Sequence, residues 1–286
     1  MARVKKSRVN RSAGGDISLL LVVLLFAFLM VIPMYYAIIQ SLKPLDELWI
    51  FPPRFWVANP TFKNFQDLFQ NLNDSWVPFS RYIFNTLFVS IAGTFGHVII
   101  ASMAAYSLSK KRFLGSNFVF SIIVLSLMFT TAVTGIPTFM VMKNMHFIDT
   151  YWSIILPAFS SSLGLYLMKQ HMEAMVKDAI IEAAKIDGAG EMRIFWTIVM
   201  PMVKPAWLTL IVFCFQGLWN ATGATYIYSE ELKSLNYAVS QIVSAGIARA
   251  GTAAASIVFM MVLPIAVFVF SQSSIVETMS SAGIKE

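Results

Sequence analysis

The sequence predicts an all-α membrane protein of six transmembrane helices, with a short cytoplasmic helix between the fourth and the fifth. Three observations predict it. Hydrophobic residues make up 57% of the chain and charged residues 13%, with a mean hydropathy of +0.69, more apolar side chain than a soluble domain can hide. The apolar residues run in long continuous stretches, not in alternating ten-residue strands, which selects helices over a barrel. Lys and Arg are distributed unevenly between those stretches, as orientation in a membrane requires.

The elements follow in order. Residues 1–16 form a basic tail carrying Arg3, Lys5, Lys6, Arg8 and Arg11, and the uncharged interval Ile17–Leu42 comes next. Its beginning resembles a signal peptide. The run is too long for one, and no small-residue cleavage site follows Pro33, so it reads as an uncleaved first span with its N-terminus inside. Charge-free intervals recur at Tyr82–Ser109, Phe113–Met142, Thr150–Met168, Pro205–Ser229 and Ala250–Val276. The fourth is the shortest, close to the minimum of about 17 residues for crossing a bilayer. Residues 17–276 are thus expected to form one six-helix domain, and residues 277–286 a short tail on the same side as the N-terminus.

With the N-terminus inside, fourteen Lys and Arg fall in cytoplasmic segments and seven in outer ones. That excess agrees with the positive-inside rule. It also accounts for the formal net charge of +6, which reports topology here, not a nucleic-acid partner. The single cysteine, Cys214, lies inside an apolar run; no disulfide or cysteine-based metal site can be built within the chain, and it reads as a small packing residue.

The loops carry less information. The first outer loop, Lys43 to Arg81, is rich in Trp, Phe and Pro, including Trp49, Phe51, Phe55, Trp56 and Trp76. It reads as an interfacial aromatic belt with short helices on the membrane, or as a docking surface for an external protein. Asn73-Asp74-Ser75 is a formal glycosylation pattern, meaningful only in a eukaryotic secretory context. The third outer loop, about 223–249, holds Tyr226, Tyr228, Glu230, Glu231, Lys233 and Asn236.

Polar residues inside spans mark candidate pathways. Span five holds Gln216, Trp219 and Asn220 at i, i+3 and i+4, so one helical face would present all three. Amides bond hydroxyls and an indole stacks on a sugar ring; helix–helix hydrogen bonding is the alternative. His97 in span two reads as a side chain bonded to a neighbouring helix. Thr130, Thr131, Thr134 and Pro137 in span three could kink and gate, or bond their own backbone.

The longest charged interval between two apolar runs organises the rest. Asp178 to Asp187 reads as a short helix, with Ala179, Ile180, Ala183 and Ala184 on one face and Asp178, Glu182 and Lys185 on another. Gly188 can take a positive φ and end it. A second helix is expected after Gly190, with Met192, Phe195, Trp196 and Val199 as one apolar stripe. Pro201 and Pro205 should break or kink it.

This stretch resembles the signature of the permease subunits of binding-protein-dependent ABC importers: Glu-Ala-Ala, three residues, Gly, nine residues, then Ile-x-Leu-Pro. Glu182, Ala183, Ala184, Gly188, Ile198 and Pro201 occupy those positions, and Met200 stands where the family usually has Leu, an apolar swap of similar volume. Ser41-Leu42-Lys43-Pro44 with Glu47, and Gln272, Gly283 and Lys285 near the end, resemble the maltodextrin-type carbohydrate permease group within that family.

The resemblance implies a coupling helix in which Glu182, Ala183, Ala184, Lys185, Asp187 and Gly188 contact an ATPase subunit. It further implies a second permease subunit, two cytoplasmic ATPase subunits and an extracytoplasmic solute-binding protein, in the inner or plasma membrane of a prokaryote, with membrane lipid around the helices. The third outer loop can reach towards the binding protein in related sugar permeases. ATP and Mg would belong to the partner ATPase. This chain has no G-x-x-x-x-G-K-[ST] phosphate loop and no H-E-x-x-H motif, so it is expected to be a transport subunit with no cofactor of its own, not an enzyme. No Asp, Glu, Lys or Arg lies within a span, which disfavours an ion-coupled carrier. The expectation is import of a carbohydrate or oligosaccharide, with another solute as the alternative.

Overall fold

The computed structural model describes residues 13–73, 77–111, 113–244, 246 and 249–282, and every regular element among them is helical. Arg3, Lys5, Lys6, Arg8 and Arg11, Asp74, Ser75 and Trp76, and Gly283 and Lys285 fall outside these residues. The chain divides into two units, Met1–Leu68 with Ala245–Val258, and Phe69–Ser244 with Phe259–Glu286.

In the first unit, α1 spans Ala13–Leu42. An 18-residue window within its stretch Gly14–Leu42 has a mean hydropathy of 3.0, and the helix is apolar on all sides, with Leu20, Leu24, Phe28 and Val31 all more than half exposed. A helix of that kind suits lipid. The loop after it is pinned back by buried polar groups. Lys43 Nζ donates to the Arg54 carbonyl at 2.7 Å, the Glu47 carboxylate accepts the amides of Ala58 and Asn59, and Asn64 donates to the carbonyls of Ser41 and Lys43. Within it α2 (Leu45–Leu48) is a single turn, and α3 (Lys63–Asn73) begins at the loop's end. Trp49, Phe51, Phe55 and Trp56 are exposed.

The second unit is built round α4 (Phe79–Lys110). Lipid tails are as apolar as core side chains, so close packing and buried hydrogen bonds, not withdrawal from water, hold such helices together. The second unit also contains α5 (Ser116–Ser126), α6 (Thr131–Asn144), α7 (Trp152–Phe159) and α8 (Ser162–Met175). Then come α9 (Asp178–Ile186), α10 (Glu191–Ile194), a π-helical turn Phe195–Val199, α11 (Met200–Met202) and α12 (Lys204–Trp219). After a 3₁₀ turn at Glu230–Leu232 come α13 (Leu235–Ser244) and α14 (Ala250–Ala282).

One core lies at the Lys110 end of α4, where Val98, Ala101, Ala105 and Tyr106 meet Met168 and Met172 of α8, Ile181 and Ala184 of α9, Phe195, and Leu210 of α12. Close approach is possible because Gly164 has no side chain. A Cβ there would fall on the His97 ring and reach Leu210 Cδ1 at 2.7 Å. His97 is 1% exposed and its Nδ1 lies 3.4 Å from the Phe159 carbonyl, which fits the structural reading of that residue.

Three helices among the described residues are long and apolar enough to cross a membrane, Gly14–Leu42, Phe79–Lys110 and Ala250–Gln272. The other charge-free intervals differ from a single-helix expectation. Phe113–Met142 is interrupted between Ser126 and Thr131, and Thr150–Met168 between Phe159 and Ser162. Thr130 and Ser161, residue types favoured ahead of helices, adopt extended dihedrals there. Just ahead of the fifth interval the chain bends by 80° between Glu191–Met202 and Lys204–Trp219, and Pro205, in the first turn of α12, is the expected cause. At the end, α14 continues to Ala282, past the last charge-free residue, Val276.

Candidate functional site

The signature stretch forms a surface helix followed by a glycine turn. The α9 helix runs Asp178–Ile186, one residue shorter than its pattern predicts. Gly188 has φ +79°, its amide donates to the Lys185 carbonyl, and the amide of Ala189 donates to the Ala184 carbonyl at 2.9 Å. This pair of bonds is the Schellman arrangement, which satisfies the last carbonyls of a helix and turns the chain sharply. A side chain at position 188 would strain that turn.

The predicted contact residues do not all face the same way. Glu182, Ala183, Lys185, Asp187 and Gly188 are exposed. Ala184 is buried with Ile181 against α4 and α8, so it seats α9 on its own chain. The outward apolar surface is made instead by Ile180, Ala183 and Ile186, spaced three apart. Ile186 is 86% exposed. The sequence reading missed Ile186 because, among the three residues before Gly188, it weighed only the charged Lys185 and Asp187. Its spacing from Ile180 and Ala183 was the signal.

Polar contacts tie α9 to the long helix behind it. Lys110 Nζ donates to the Val176 carbonyl at 2.5 Å and to Asp178 Oδ1 at 2.9 Å. One ammonium thereby serves the carbonyl of Val176, which caps α8, and the first carboxylate of α9, the charge placement that helix dipoles favour. Tyr106, also on α4, donates to Glu191 Oε2 at 2.9 Å, and Glu191 pairs with Lys185 at 3.1 Å and Lys111 at 3.7 Å. The Lys185 and Lys111 pairs are half exposed and individually worth little. Their value is positional, since they hold both ends of the Gly188 turn.

Beyond the turn, the expected stripe of Met192, Phe195, Trp196 and Val199 is divided. Phe195 and Val199 are buried, whereas Met192 and Trp196 are 59% and 44% exposed. The π turn is the reason. Met200 donates its amide to the Phe195 carbonyl, a bond five residues back, which rotates the buried face away from the i, i+3, i+4 register. Trp196 instead lines an apolar cavity of about 790 Å³ with Phe95, Trp207 and Leu263.

The span-five trio is also divided. Gln216 and Asn220 are exposed, and Asn220 Nδ2 donates to the Gln216 carbonyl at 3.0 Å. Trp219 is 2% exposed, with Nε1 donating to the Met260 carbonyl at 3.0 Å. The indole packs α12 against α14 and cannot stack on a solute in this conformation.

The segment Tyr228–Lys233, ahead of α13, is anchored to α4 and to Asp149. Asn85 of α4 donates to the carbonyls of Glu231 and Lys233 and accepts from Tyr151. Tyr82 donates to Glu230 at 2.8 Å. Asp149, at φ +61°, accepts the amides of Tyr228 and Ser229 and the Ser229 hydroxyl. That hydroxyl, then the Ser229 amide, holds the Asp149 carboxyl below the usual carboxylate range.

Comparison with known proteins places these features in a family. Residues 97–280 match the family described as the binding-protein-dependent transport system inner membrane component. Among curated proteins, the sn-glycerol-3-phosphate transport system permease protein UgpE of Yersinia enterocolitica is 30% identical over 221 residues, 74% of this chain and 75% of that protein. The polygalacturonan/rhamnogalacturonan transport system permease protein YtcP of Bacillus subtilis is 28% identical over 72% of this chain and 69% of its own. Among solved structures, a chain of a bacterial ABC transporter involved in import of the acidic polysaccharide alginate superposes with a TM-score of 0.76 at 22% identity, covering 93% of this chain and 99% of that one.

Proposed function

This chain belongs to the family of binding-protein-dependent transport system inner membrane components, and on that premise we propose that it is the permease subunit of an ABC importer that passes a carbohydrate into the cytoplasm. As a family member it is a transport subunit and not an enzyme. The relatives named for carbohydrate or polyol-phosphate import support the substrate class.

The observation that carries the reading is α9 itself. A short helix bears the family signature, turns an apolar strip of Ile180, Ala183 and Ile186 outward, and is fastened to α4 directly through Lys110 and, by way of Glu191 of α10, through Tyr106. In our reading an ATPase subunit covers that strip, with Glu182, Lys185 and Asp187 at its rim and Ala183 allowing close approach. Closure of the ATPase dimer then displaces α9. The α4 and α8 helices follow it as a rigid body, because the core around Ile181 and Ala184 and the Lys110 bonds join them. Ala184 and Gly188 serve shape rather than contact.

We further propose six crossings, the third made by α5 and α6 and the fourth by α7 and α8. Both termini and α9 would lie in the cytoplasm, and the loop around Glu230 outside. A second permease, two ATPase subunits holding ATP and Mg, and an extracytoplasmic binding protein complete the importer. Gln216 and Asn220 remain open to a solute; Trp219 does not. Reconstitution tests the function: vesicles containing the complete importer should accumulate labelled carbohydrate only when ATP and binding protein are both present. Accumulation driven by an ion gradient without ATP would overturn it.

A further inference from the structure

The 80° bend ahead of α12 opens an apolar cavity. Trp196 and Met200 line it from one arm of the bend, Lys204, Ile211 and Phe215 from the other, and Leu263 of α14 faces them. Its volume is about 790 Å³, within the roughly 300–1,000 Å³ of small-molecule sites. Along α12 it runs from Lys204 to Phe215, about 16 Å of helix rise. That length is close to one leaflet, half of a hydrocarbon core about 30 Å thick.

The polar groups are few and placed at the surface. Lys204 is the one charged lining residue. It is exposed, and its ammonium makes no ion pair or hydrogen bond among the described residues. Trp196 is 44% exposed, its ring set edge-on to Phe195 with centroids 4.9 Å apart, and its indole N–H likewise has no partner among the described residues. Trp207 offers only its ring, because its Nε1 already donates to the Met200 carbonyl at 3.1 Å. A polyol would leave most of its hydroxyls without partners against these walls. A small free anion would meet the lysine and gain nothing from the apolar length. An alkyl chain one leaflet long that ends in a negative charge uses both.

We propose that this cavity binds an anionic phospholipid, with an acyl chain along α12 and the headgroup phosphate accepting from Lys204 and the Trp196 indole. The inference rests on the reading that puts α9 in the cytoplasm, which makes this the inner leaflet, where the surface potential is negative and basic residues draw anionic lipid. Exposed tryptophan suits the same depth, its ring in the apolar region and its N–H at the headgroups. The lipid then fills the angle between the signature segment and α12.

The test is native mass spectrometry of the complete importer, stripped of lipid in detergent and given dioleoylphosphatidylglycerol and dioleoylphosphatidylcholine in equal amounts. The unaltered importer should retain the anionic lipid about fivefold over the zwitterionic one, the value of one basic side chain near an anionic surface. Lys204→Gln should bring the two lipids level, and Lys204→Arg should keep the preference. Ile211→Trp, which fills the cavity from α12, should cut retention of both; Leu263→Trp, which fills it from α14, is read in the same way if Ile211→Trp fails to assemble. Excess inorganic phosphate should displace neither lipid. A preference that survives Lys204→Gln overturns the headgroup assignment, and full retention by the cavity-filling variants overturns the cavity. Displacement by inorganic phosphate overturns lipid as the ligand. Retention of neither lipid by the unaltered importer, the result if another chain covers the cavity, overturns the inference outright. Each readout is independent of transport, so these failures leave the importer function standing.

Discussion

The ammonium of Lys110, at the last residue of α4, lies 2.9 Å from the carboxylate of Asp178, the first residue of α9. The two ends of this pair differ in environment. The Lys110 side chain is 6% exposed and that of Asp178 68%. Removing the lysine therefore costs little at the carboxylate, which water can serve. It costs more at the buried Val176 carbonyl, which loses its 2.5 Å donor. Lys110→Met should destabilise the protein by about 1–3 kcal/mol and loosen α9 from α4. A thiol-reactive dye on the lone, partly buried Cys214 would follow thermal unfolding in detergent. An unchanged midpoint would show that this pair does not fasten α9.

Packing at Gly164 leads to a paired prediction. Gly164→Ala places a Cβ on the His97 ring and against Leu210, and overpacking of this kind typically costs about 1–3 kcal/mol. His97→Ala removes the obstructing ring, so the double variant should be more stable than Gly164→Ala alone. Thermal midpoints of the four proteins measure the coupling. Additive effects would contradict a direct contact.

For Trp219 the expected loss is of stability and not of solute recognition. Trp219→Phe gives up the hydrogen bond to Met260 and should cost about 1 kcal/mol. Uptake per assembled complex should stay normal. A selective fall in uptake at full stability would return the indole to the pathway.

The Asp149 clamp predicts a pH dependence. Its carboxyl titrates below the ordinary aspartate range because the folded protein bonds the ionised form, first through the Ser229 hydroxyl. A depressed folded value means that the stabilisation is fully present above the ordinary aspartate pKa of about 3.9. It is lost as pH falls through the lower folded value. Asp149→Asn should therefore reduce protection of the 226–229 segment from proteolysis at neutral pH, and the difference from the unaltered protein should shrink in acid. A difference that grew on acidification would reverse the sign.

Much of this architecture was legible in the residues, and the failures have physical causes. Long charge-free runs announced α1, α4 and α14, because lipid demands continuous apolar surface. Gly188 announced its own turn, because its φ of +79° lies where Cβ-bearing residues are strained. The break after Ser126 carries no Gly or Pro within residues 127–130, and hydropathy does not register a break that keeps its residues apolar. Trp219 and Ala184 were placed on the right helices and the wrong faces. Neither amphipathic pattern was strong enough to fix rotation, which was set by Met260 for one and by the α4 and α8 core for the other. The Met192–Val199 stripe failed because one π turn shifts the register by a residue, and nothing in the spacing signals that turn.

Everything turns on whether α9 transmits work. Ala183 is exposed and its side chain is a methyl group at the centre of the outward strip, so Ala183→Trp separates the proposed surfaces without disturbing the chain's own core. The decisive measurement is solute uptake together with binding-protein-stimulated ATP hydrolysis, in vesicles containing the Ala183→Trp importer. The account predicts a protein that inserts normally, an ATPase that binds weakly or hydrolyses ATP without stimulation, and uptake reduced to background. Uptake and stimulated hydrolysis both at normal rates would contradict it.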